Sequence, residues 1–339
     1  SRPPSEQSGA RVLDAVPDDT FLLATVDVAR VRSSPLAEPL RSLGAGMERN
    51  IAGQCGFDPV DRLDTLALAV PESDGIGDFG VATVGHLQKE ELVRCARTIM
   101  QGRSAALGTR EASDFTIVED KGTFAAGAAK LAIRDLGPFL LAREPWLSNM
   151  MAAWEGKKPR IAANPRHMEL RRALAGSASD QVADKGQHAD PAVMVTALLP
   201  AKLRDRLKRE MSANPADASN TAMLGILSVD AAGMALSLTP DGLIDLRAEL
   251  RCETADACAQ VQEFLAKKRG ELAGDFRMRL LGLGGLLQGL TVETKETRIS
   301  ARARLPADEA KRLLDRLLEL RSGAGVTKSA PPDKDAGPR

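Results

Sequence analysis

FLLATVDVARV, residues 21 to 31, is the stretch from which the fold can be worked out. The run is apolar and rich in Leu and Val, which is typical of a buried β-strand. Ser34 and Pro35 follow it closely, and serine is suited to cap a helix whose first position is proline. The sequence therefore predicts a strand that leads directly into a helix.

The same order of elements returns in the second half of the chain. AVMVTALLP, residues 192 to 200, again predicts a strand followed by a helix. Two strands, a helix and a hairpin come next in both halves, and Cys95 and Cys258 occupy matching helices. We therefore predict an α+β fold, a tandem duplication of a β-α-β-β-α-β-β-α unit with mostly antiparallel sheets and helices packed on one face.

The pattern divides the chain into five segments, because its two ends and its middle are polar and lack a strand or helix period. We predict a disordered spacer at 1–19, a first α+β repeat at 20–155, a helical linker and polar loop at 156–190, a second α+β repeat at 191–321, and a disordered tail at 322–339.

Composition excludes several classes of function. Among 339 residues, 46 basic and 46 acidic side chains balance, so the overall charge offers nothing to attract nucleic acid. Eight Phe, two Trp and no Tyr leave few rings on which bases or sugars could stack. We predict no nucleic-acid partner.

The sequence lacks the common motifs of catalysis and metal binding. The chain has no Gly-x-Ser-x-Gly, no phosphate loop and no His-Glu-x-x-His. It has no Cys-x-x-Cys, and His86, His167 and His188 stand at unrelated positions. We therefore predict a protein that is not an enzyme and that uses no metal or cofactor.

Each predicted unit holds two of the four cysteines, so pairing within units is simplest. This pairing joins Cys55 to Cys95 and Cys252 to Cys258. If Thr254 caps the helix that follows, Cys258 is its fourth residue and comes close to Cys252. Buried free thiols and reactive cysteines are the alternatives. Disulfides are typical of oxidising compartments and predict an extracytoplasmic protein.

Four stretches resemble a family of secreted proteins. They are VPDDTFLLATVDVARVRSSPLAEPL at 16–40, CGFDP at 55–59, LVRCA at 92–96 and the helix start at Asn164-Pro165. Together they resemble uncharacterised secreted proteins and lipoproteins of myxobacteria and their relatives over most of the chain. The resemblance implies an envelope protein in the periplasm or on the outer cell surface. An N-terminal lipid anchor is the one membrane link it implies, and the chain carries no lipobox cysteine to match.

The leading functional prediction is a non-enzymatic binding or structural protein of the cell envelope that holds a protein or peptide partner. The alternative is a carrier of a lipid or another apolar ligand, suggested by LLGLGGLLQGL at 280–290 and an aliphatic, aromatic-poor interior. The residues predicted to form an apolar contact surface are Trp146, Met150, Trp154, Leu283, Leu286 and Leu287.

Overall fold

Two strands from opposite halves of the chain lie side by side at the centre of a large antiparallel sheet in the computed structural model, which confirms an α+β fold. The structure describes residues 11–38, 41, 52–72, 78–102, 106–122, 127–135, 137–176, 190–212, 227–239, 241–276 and 283–323.

The described part of the chain contributes twelve strands to this sheet. They are β1 (Thr20–Asp27), β2 (Leu63–Pro71), β3 (Gly80–Gly85), β4 (Leu107–Ala112), β5 (Phe115–Asp120), β6 (Lys130–Ile133), β7 (Phe139–Ala142), β8 (Pro191–Leu198), β9 (Val229–Leu238), β10 (Leu243–Cys252), β11 (Thr291–Lys295) and β12 (Arg298–Pro306). Their order across the sheet is β11-β12-β10-β9-β8-β1-β2-β3-β7-β6-β5-β4, so β4 and β11 are the edges.

Helices connect and follow these strands. The described ones are α1 (Val28–Arg32), α2 (Pro59–Arg62), α3 (Lys89–Gly102), α4 (Trp146–Trp154), α5 (Pro165–Ala175), α6 (Ala201–Ser212), α7 (Ala255–Gly274), α8 (Leu283–Gly289) and α9 (Ala307–Gly323).

The strands of each half are connected in a similar way. β1, β2 and β3 are successive neighbours, as are β8, β9 and β10. After α3, the chain forms β4 to β7 and β7 returns to pair with β3. After α7 and α8, the chain forms β11 and β12, and β12 returns to pair with β10. Among the described strands, the first half therefore carries two more than the second.

The front face of the sheet, defined by Leu23 and its paired neighbours Ala69 and Thr196, carries the largest core. Small side chains on β2 and β3 allow α4 to lie close to the sheet, and Met150 of α4 is fully buried there. A Cβ atom at Gly80 would collide with Met150 and with the indole of Trp146, so this glycine permits the close contact of β3 and α4.

The back face of the sheet is the opposite side, defined by Ala24 and its paired neighbours Leu68 and Val195. On β5, Ile117 packs in the front core beside α4, whereas the next residue, Val118, packs against α3. Adjacent residues of a strand point to opposite faces, so α3 and α4 lie on opposite sides of the sheet.

The second half shows the same arrangement on β9. Ala231 packs against Leu170 of α5, and Ala232 packs against the cluster that contains Cys258 and Val261 of α7. Helices therefore cover both faces of the sheet, and the prediction that they would pack on one face is wrong. The physical reason is that several strands carry apolar residues at both odd and even positions, so each face of the sheet has apolar surface to bury.

The chain enters the core earlier than predicted. A spacer was expected up to residue 19, but residues 11–14 form a helical turn, and Val12, Ala15 and Val16 are fully buried in the front core. Burial of an aliphatic side chain of this size contributes about 1.5 to 3 kcal/mol, which is enough to hold a short segment in place. Residues 1–10 and 324–339 lie outside the described part of the chain.

Both predicted disulfides are present, Cys55–Cys95 and Cys252–Cys258. The hydroxyl of Thr254 accepts a hydrogen bond from the N–H of Ala257 at 3.1 Å and caps α7, as the sequence predicted. Cys258 then lies in the first turn of α7, with its Cα 5.4 Å from that of Cys252. The short bridge ties the end of β10 to the start of α7, and the longer one ties α3 to residue 55.

A buried histidine spans the central strand pair on the front face. His167 of α5 is fully buried between Thr20 of β1 and Thr196 of β8. Its Nε2 lies 2.9 Å from the carbonyl oxygen of Thr20, which can only accept, so Nε2 carries the proton. Its Nδ1 lies 2.9 Å from the Thr196 hydroxyl and accepts its hydrogen. The neutral ring thus satisfies both neighbours.

We expect the two disulfides to differ in their contribution to stability. The bridges span 40 and 6 positions, so chain entropy assigns about 4 kcal/mol to Cys55–Cys95 and about 2 kcal/mol to Cys252–Cys258. Urea denaturation of the two double serine variants should show the larger loss in the free energy of unfolding for C55S/C95S. The reverse order would contradict this expectation.

The protein should lose stability as the pH falls below about 6.5 because of His167. Burial lowers the pKa of this histidine, and the cations Arg171 and Arg166 act in the same direction. Between the lowered pKa and the ordinary value, the unfolded chain binds a proton that the folded protein excludes, so acid favours unfolding. Melting temperatures across this range should fall less steeply for His167→Gln than for the parent protein; equal slopes would refute the assignment.

Candidate functional site

A continuous strip of aliphatic side chains crosses the middle of the back face, and we call it the aliphatic strip. Strand register places its members side by side in rows, because paired residues of neighbouring strands point to the same face. The strip consists of Leu22, Ala24 and Val26 of β1, Leu66, Leu68 and Val70 of β2, Val81 of β3, Leu141 of β7, Val193, Val195 and Ala197 of β8, and Met234 of β9.

These side chains remain partly open to solvent. Met234 is 51% exposed and Leu141 is 39% exposed, and the other members are half-buried. On β8 the contrast between faces is regular: Met194 and Thr196 on the front are buried, and Val193 and Val195 on the back are half-buried. The front of the central strands is thus a core, while their back is an accessible apolar surface.

Helices border the strip on both sides. Leu92 and Val93 of α3 pack beside Phe139 on the first half of the back face. Leu283 and Leu286 of α8 pack with α9 beside the last strands. Among the described helices, the short α1 contacts β1, β2 and β8 where β1 ends, and α5 contacts β8 on the front face, while α3 and α8 lie to either side of the strip. The strip therefore forms the floor of a shallow trough between α3 and α8.

The floor of the trough offers apolar contact and little else. The backbone N–H and C=O groups of its strands are engaged in the antiparallel ladder. Its side chains are Val, Leu, Ala and Met, which have no hydrogen-bonding groups other than the weakly accepting Met sulfur. Contiguous apolar surface of this kind on a soluble protein marks a site of interaction.

The structure separates the residues that were predicted to form one apolar contact surface. Trp146 and Met150 are buried in the front core, where Trp154 packs beside them. Leu283, Leu286 and Leu287 belong to α8, and the first two pack in a back-face cluster. The sheet lies between the two groups. Residues 280–282 of the Leu/Gly run lie outside the described part of the chain.

A second surface lies on the front face of the last strands, where five arginines replace the apolar core. We call it the arginine patch. It comprises Arg247 and Arg251 of β10 and Arg298, Arg302 and Arg304 of β12. The intervening residues of β12, Ile299, Ala303 and Leu305, are buried on the back face. The alternation in RISARARL therefore places every arginine of β12 on the front.

Two buried carboxylates organise the arginine patch. Asp245 accepts two hydrogen bonds of 2.8 Å from Arg302 and two, of 3.1 and 3.2 Å, from Arg247, and Arg304 lies 3.7 Å away. Burial by itself would raise the pKa of Asp245, but the hydrogen bonds and charges of Arg302 and Arg247 lower it overall. Glu249 accepts from Ser300 and pairs with Arg298, and burial raises its pKa.

A polar cleft of about 320 Å³ lies where β1 begins and β8 ends. It is lined by Asp18, Glu72 and Asp230, with Arg166 and Arg204 beside them. Arg166 pairs with Asp230 at 2.6 Å, so part of its charge is compensated within the cleft. Nowhere in the described ranges do three or more His, Cys, Asp or Glu side chains form a group suited to a metal ion.

The strip and the patch were both missed by sequence analysis, although each leaves a signal. Val193 and Val195 alternate with buried residues on β8; the apolar run predicts the strand but does not show that one of its sides is only half-buried. The alternating arginines of β12 indicate a hairpin strand, but alternation alone does not show that the arginine side faces away from the core. In both cases the missing information was which neighbouring element covers the face.

Comparison with known proteins assigns no family. Neither the protein-family models nor the curated proteins contain a match to the chain. A solved structure, crystal form I of TP0453, superposes with a TM-score of 0.47 and 10% identity over 90% of this chain and 97% of that chain. A likeness this distant carries no argument about function.

In the described ranges, no helix has the length and apolar character required to cross a bilayer.

Loss of the Asp245 charge should destabilise the fold. Asp245→Asn leaves the guanidinium groups of Arg247 and Arg302 without their shared counter-charge, and breaking such a buried pair costs about 3 kcal/mol. The matched control is Asp308→Asn, which breaks the exposed pair with Arg312 and should cost under about 0.5 kcal/mol. Chemical denaturation gives the free energy of unfolding of both variants. Equal losses would show that the charge cluster around Asp245 adds no more stability than an exposed ion pair.

Proposed function

We propose that this protein is a non-enzymatic binding protein of the bacterial envelope that holds an acyl chain of a lipid on its aliphatic strip. The observation that carries the proposal is the strip itself: aliphatic side chains in register across the central strands, half-buried in the middle, with Met234 and Leu141 exposed at the two lateral borders.

The chemistry of the strip favours an acyl chain over a protein partner. Binding hot spots between proteins are enriched in Trp, Tyr and Arg, and they combine apolar contact with directed hydrogen bonds. The strip has neither aromatic rings nor free backbone groups, and it offers only non-directional contact. An acyl chain requires nothing more than that. The protein or peptide partner that sequence analysis placed first stays a prediction.

The dimensions of the strip suit an extended chain. Neighbouring strands are about 4.8 Å apart, so the five strands from β3 to β9 span about 19 Å. Half of the hydrocarbon core of a bilayer, the reach of one acyl chain, is about 15 Å. A chain lying across the strands would thus remain in contact with the strip over its whole length.

Energetics sets the expected affinity. Complete burial of a methylene contributes about 0.8 kcal/mol, and a chain lying on an open floor buries about half of its surface, which gives about 0.4 kcal/mol for each methylene. Fourteen methylenes then give about 5 to 6 kcal/mol, a Kd on the order of 0.1 mM. This is a weak, exchangeable complex, which is appropriate to a carrier.

Location in the envelope is supported by the disulfides. Two bridges join all four cysteines, and such bridges are rare in reducing compartments. The periplasm and the outer cell surface both satisfy this condition, and both contain lipids with acyl chains.

We also infer that the two halves descend from a tandem duplication. The support is the strand order, in which β1-β2-β3 and β8-β9-β10 extend outward from the central pair. In each half the last strand of the chain then returns to pair with the third one, β7 with β3 and β12 with β10. The helices α3 and α7, which follow the third strand of each half, each bear a disulfide cysteine.

The test is a chain-length series. Isothermal titration with saturated fatty acids and with lysophosphatidylcholines, both below their critical micelle concentrations, should show Kd falling about twofold for each added methylene. The two headgroup classes should give the same slope, because only the chain contacts the strip. Affinity that is independent of chain length would overturn the proposal.

Two variants locate the binding. Met234→Glu introduces a charge at the exposed β9 border of the strip, beside Val195, and should weaken binding, whereas Met234→Leu keeps the apolar surface and should retain it. Thr291→Glu places the same charge on the exposed edge strand β11 and serves as the matched control. If Met234→Glu binds as well as Thr291→Glu, the strip is not the site.

A further inference from the structure

The polar cleft where β1 begins and β8 ends adjoins the aliphatic strip. The last row of the strip consists of Val70, Leu22 and Ala197, which are paired across β2, β1 and β8. Glu72 and Leu199 line the cleft, and each follows a member of that row by two positions along the chain. Two residues of a strand span about 7 Å, so a molecule that lies on the strip can reach into the cleft.

The start of β1 is shaped so that an aromatic residue lines the cleft. The register of β1 against β2 shifts between Thr20 and Leu22, which leaves Phe21 without a partner of its own on β2. Such a bulge turns a side chain away from the regular alternation of the strand. Phe21 is half-buried and lines the cleft. Since the face of an aromatic ring attracts positive charge, this residue favours an organic cation as the occupant.

Most of the charged groups in the cleft already have an opposite charge. The ion pairs are Asp19–Lys158, Asp230–Arg166 and Arg204–Glu253. Asp18 and Glu72 also line the cleft, and neither carboxylate forms an ion pair with a described group. The N–H of Glu72 donates to the carbonyl oxygen of Asp19 at 3.1 Å, so the backbone holds Asp18 and Glu72 close to each other. Two neighbouring carboxylates without a counter-charge attract a cation.

The carboxylate of Asp230 adds an unmet acceptor to the cleft. Its Oδ2 accepts from Arg166, whereas its Oδ1 is buried and accepts no hydrogen bond from a described group. Buried polar atoms are nearly always paired, so an unpaired acceptor in a cleft indicates a missing donor. The described carboxylates form no group suited to a metal ion. A primary ammonium, which has one positive charge and three N–H donors, meets both needs.

Arg166 offers a place for an anion beside that cation. It bonds to Asp230 through Nη2, to the carboxylate at 2.6 Å and to the carbonyl oxygen at 3.2 Å. Its side chain is 49% exposed, so its Nε and Nη1 can still donate to a ligand. Guanidinium groups bind phosphate well because two of their N–H groups donate in parallel. The cleft thus presents acceptors for an ammonium and donors for a phosphate.

We propose that the cleft holds the headgroup of the lipid whose acyl chain lies on the aliphatic strip, and that it selects headgroups in which a primary ammonium stands beside a phosphate. The inference rests on the proposed function and names the class of lipid. The ammonium lies by Asp18 and Glu72, and the phosphate contacts Arg166. The chain then continues over Leu22 and Ala197 onto the strip. A cleft of about 320 Å³ is at the small end of ligand sites, which suits a headgroup rather than a whole lipid.

Isothermal titration with two lysophospholipids of the same acyl chain tests this selection. Lysophosphatidylethanolamine should bind about fivefold more tightly than lysophosphatidylglycerol, which has a glycerol in place of the ammonium, because a partly exposed ion pair contributes up to about that factor. Both lipids should show the same dependence on chain length. Equal Kd values with the chain-length dependence intact would overturn the cleft as a headgroup site and leave the proposed function standing.

Free phosphoethanolamine separates a lipid headgroup from a free solute of the same chemistry. Without an acyl chain it should bind at least about tenfold more weakly than lysophosphatidylethanolamine, since it buries no methylenes on the strip. Equal affinity would show that the cleft takes a free solute, and the proposal would be wrong.

The variant D18N/E72Q removes the two unpaired charges and keeps the backbone hydrogen bonds. It should reduce the preference between the two headgroups to under about twofold, with the chain-length dependence unchanged. The matched control is D241N/E293Q, which removes two exposed carboxylates at the β9–β10 turn and on β11 and should retain the fivefold preference. An equal loss in both double variants would show that the preference follows total charge, and the cleft would be refuted.

Should D18N/E72Q fail to fold by circular dichroism, Glu72→Gln replaces it, because this side chain is exposed. It should reduce the preference about twofold, and an unchanged preference would refute the cleft. Met234→Glu should weaken the binding of both lysophospholipids by the same factor and leave their ratio at about five. A changed ratio in this variant would contradict separate contacts for headgroup and chain.

Discussion

The pairing of β1 with β8 is the interaction on which the rest of the structure depends. Five residue pairs, from Leu22–Ala197 to Val26–Val193, join the two halves of the chain into one continuous sheet. His167 stabilises this pairing from the front by bridging Thr20 and Thr196, so a single neutral imidazole holds both strands. A charged imidazole at that position would weaken the junction itself rather than a peripheral contact.

The same pairing explains why the middle of the back face is accessible. Each half places its long helices over its own outer strands, with α3 over β5 to β7 and with α7, α8 and α9 over β9 to β12. The strands that join the halves are the farthest from both sets. The back of the joining strands is apolar because these strands carry aliphatic residues on both faces. It is accessible because neither set of described long helices reaches it.

Local features were predictable from the sequence, and long-range ones were not. Thr254 as the cap of α7 and the neighbouring bridge of Cys252 to Cys258 depend on residues within one turn, so a short window was sufficient. The placement of helices on both faces depends on which partner meets Ile117 and which meets Val118, and nothing within β5 decides that. The same limit hid the aliphatic strip, since Val195 has the same pattern whether or not a helix covers it. Trp146 was assigned to a contact surface for the converse reason, because a buried aromatic residue and an exposed one look alike in sequence.

Among the described strands, the sheet ends at β4 on one side and at β11 on the other. Each edge carries charged side chains in open positions, Arg110 and Glu111 on the first and Glu293 and Lys295 on the second. A further strand docking on either edge would have to bring its own side chains against these charges and strip them of water. Charges at these two strands therefore oppose the addition of further strands, so that molecules crowded together in a confined cellular space are kept from joining sheet to sheet into fibrils.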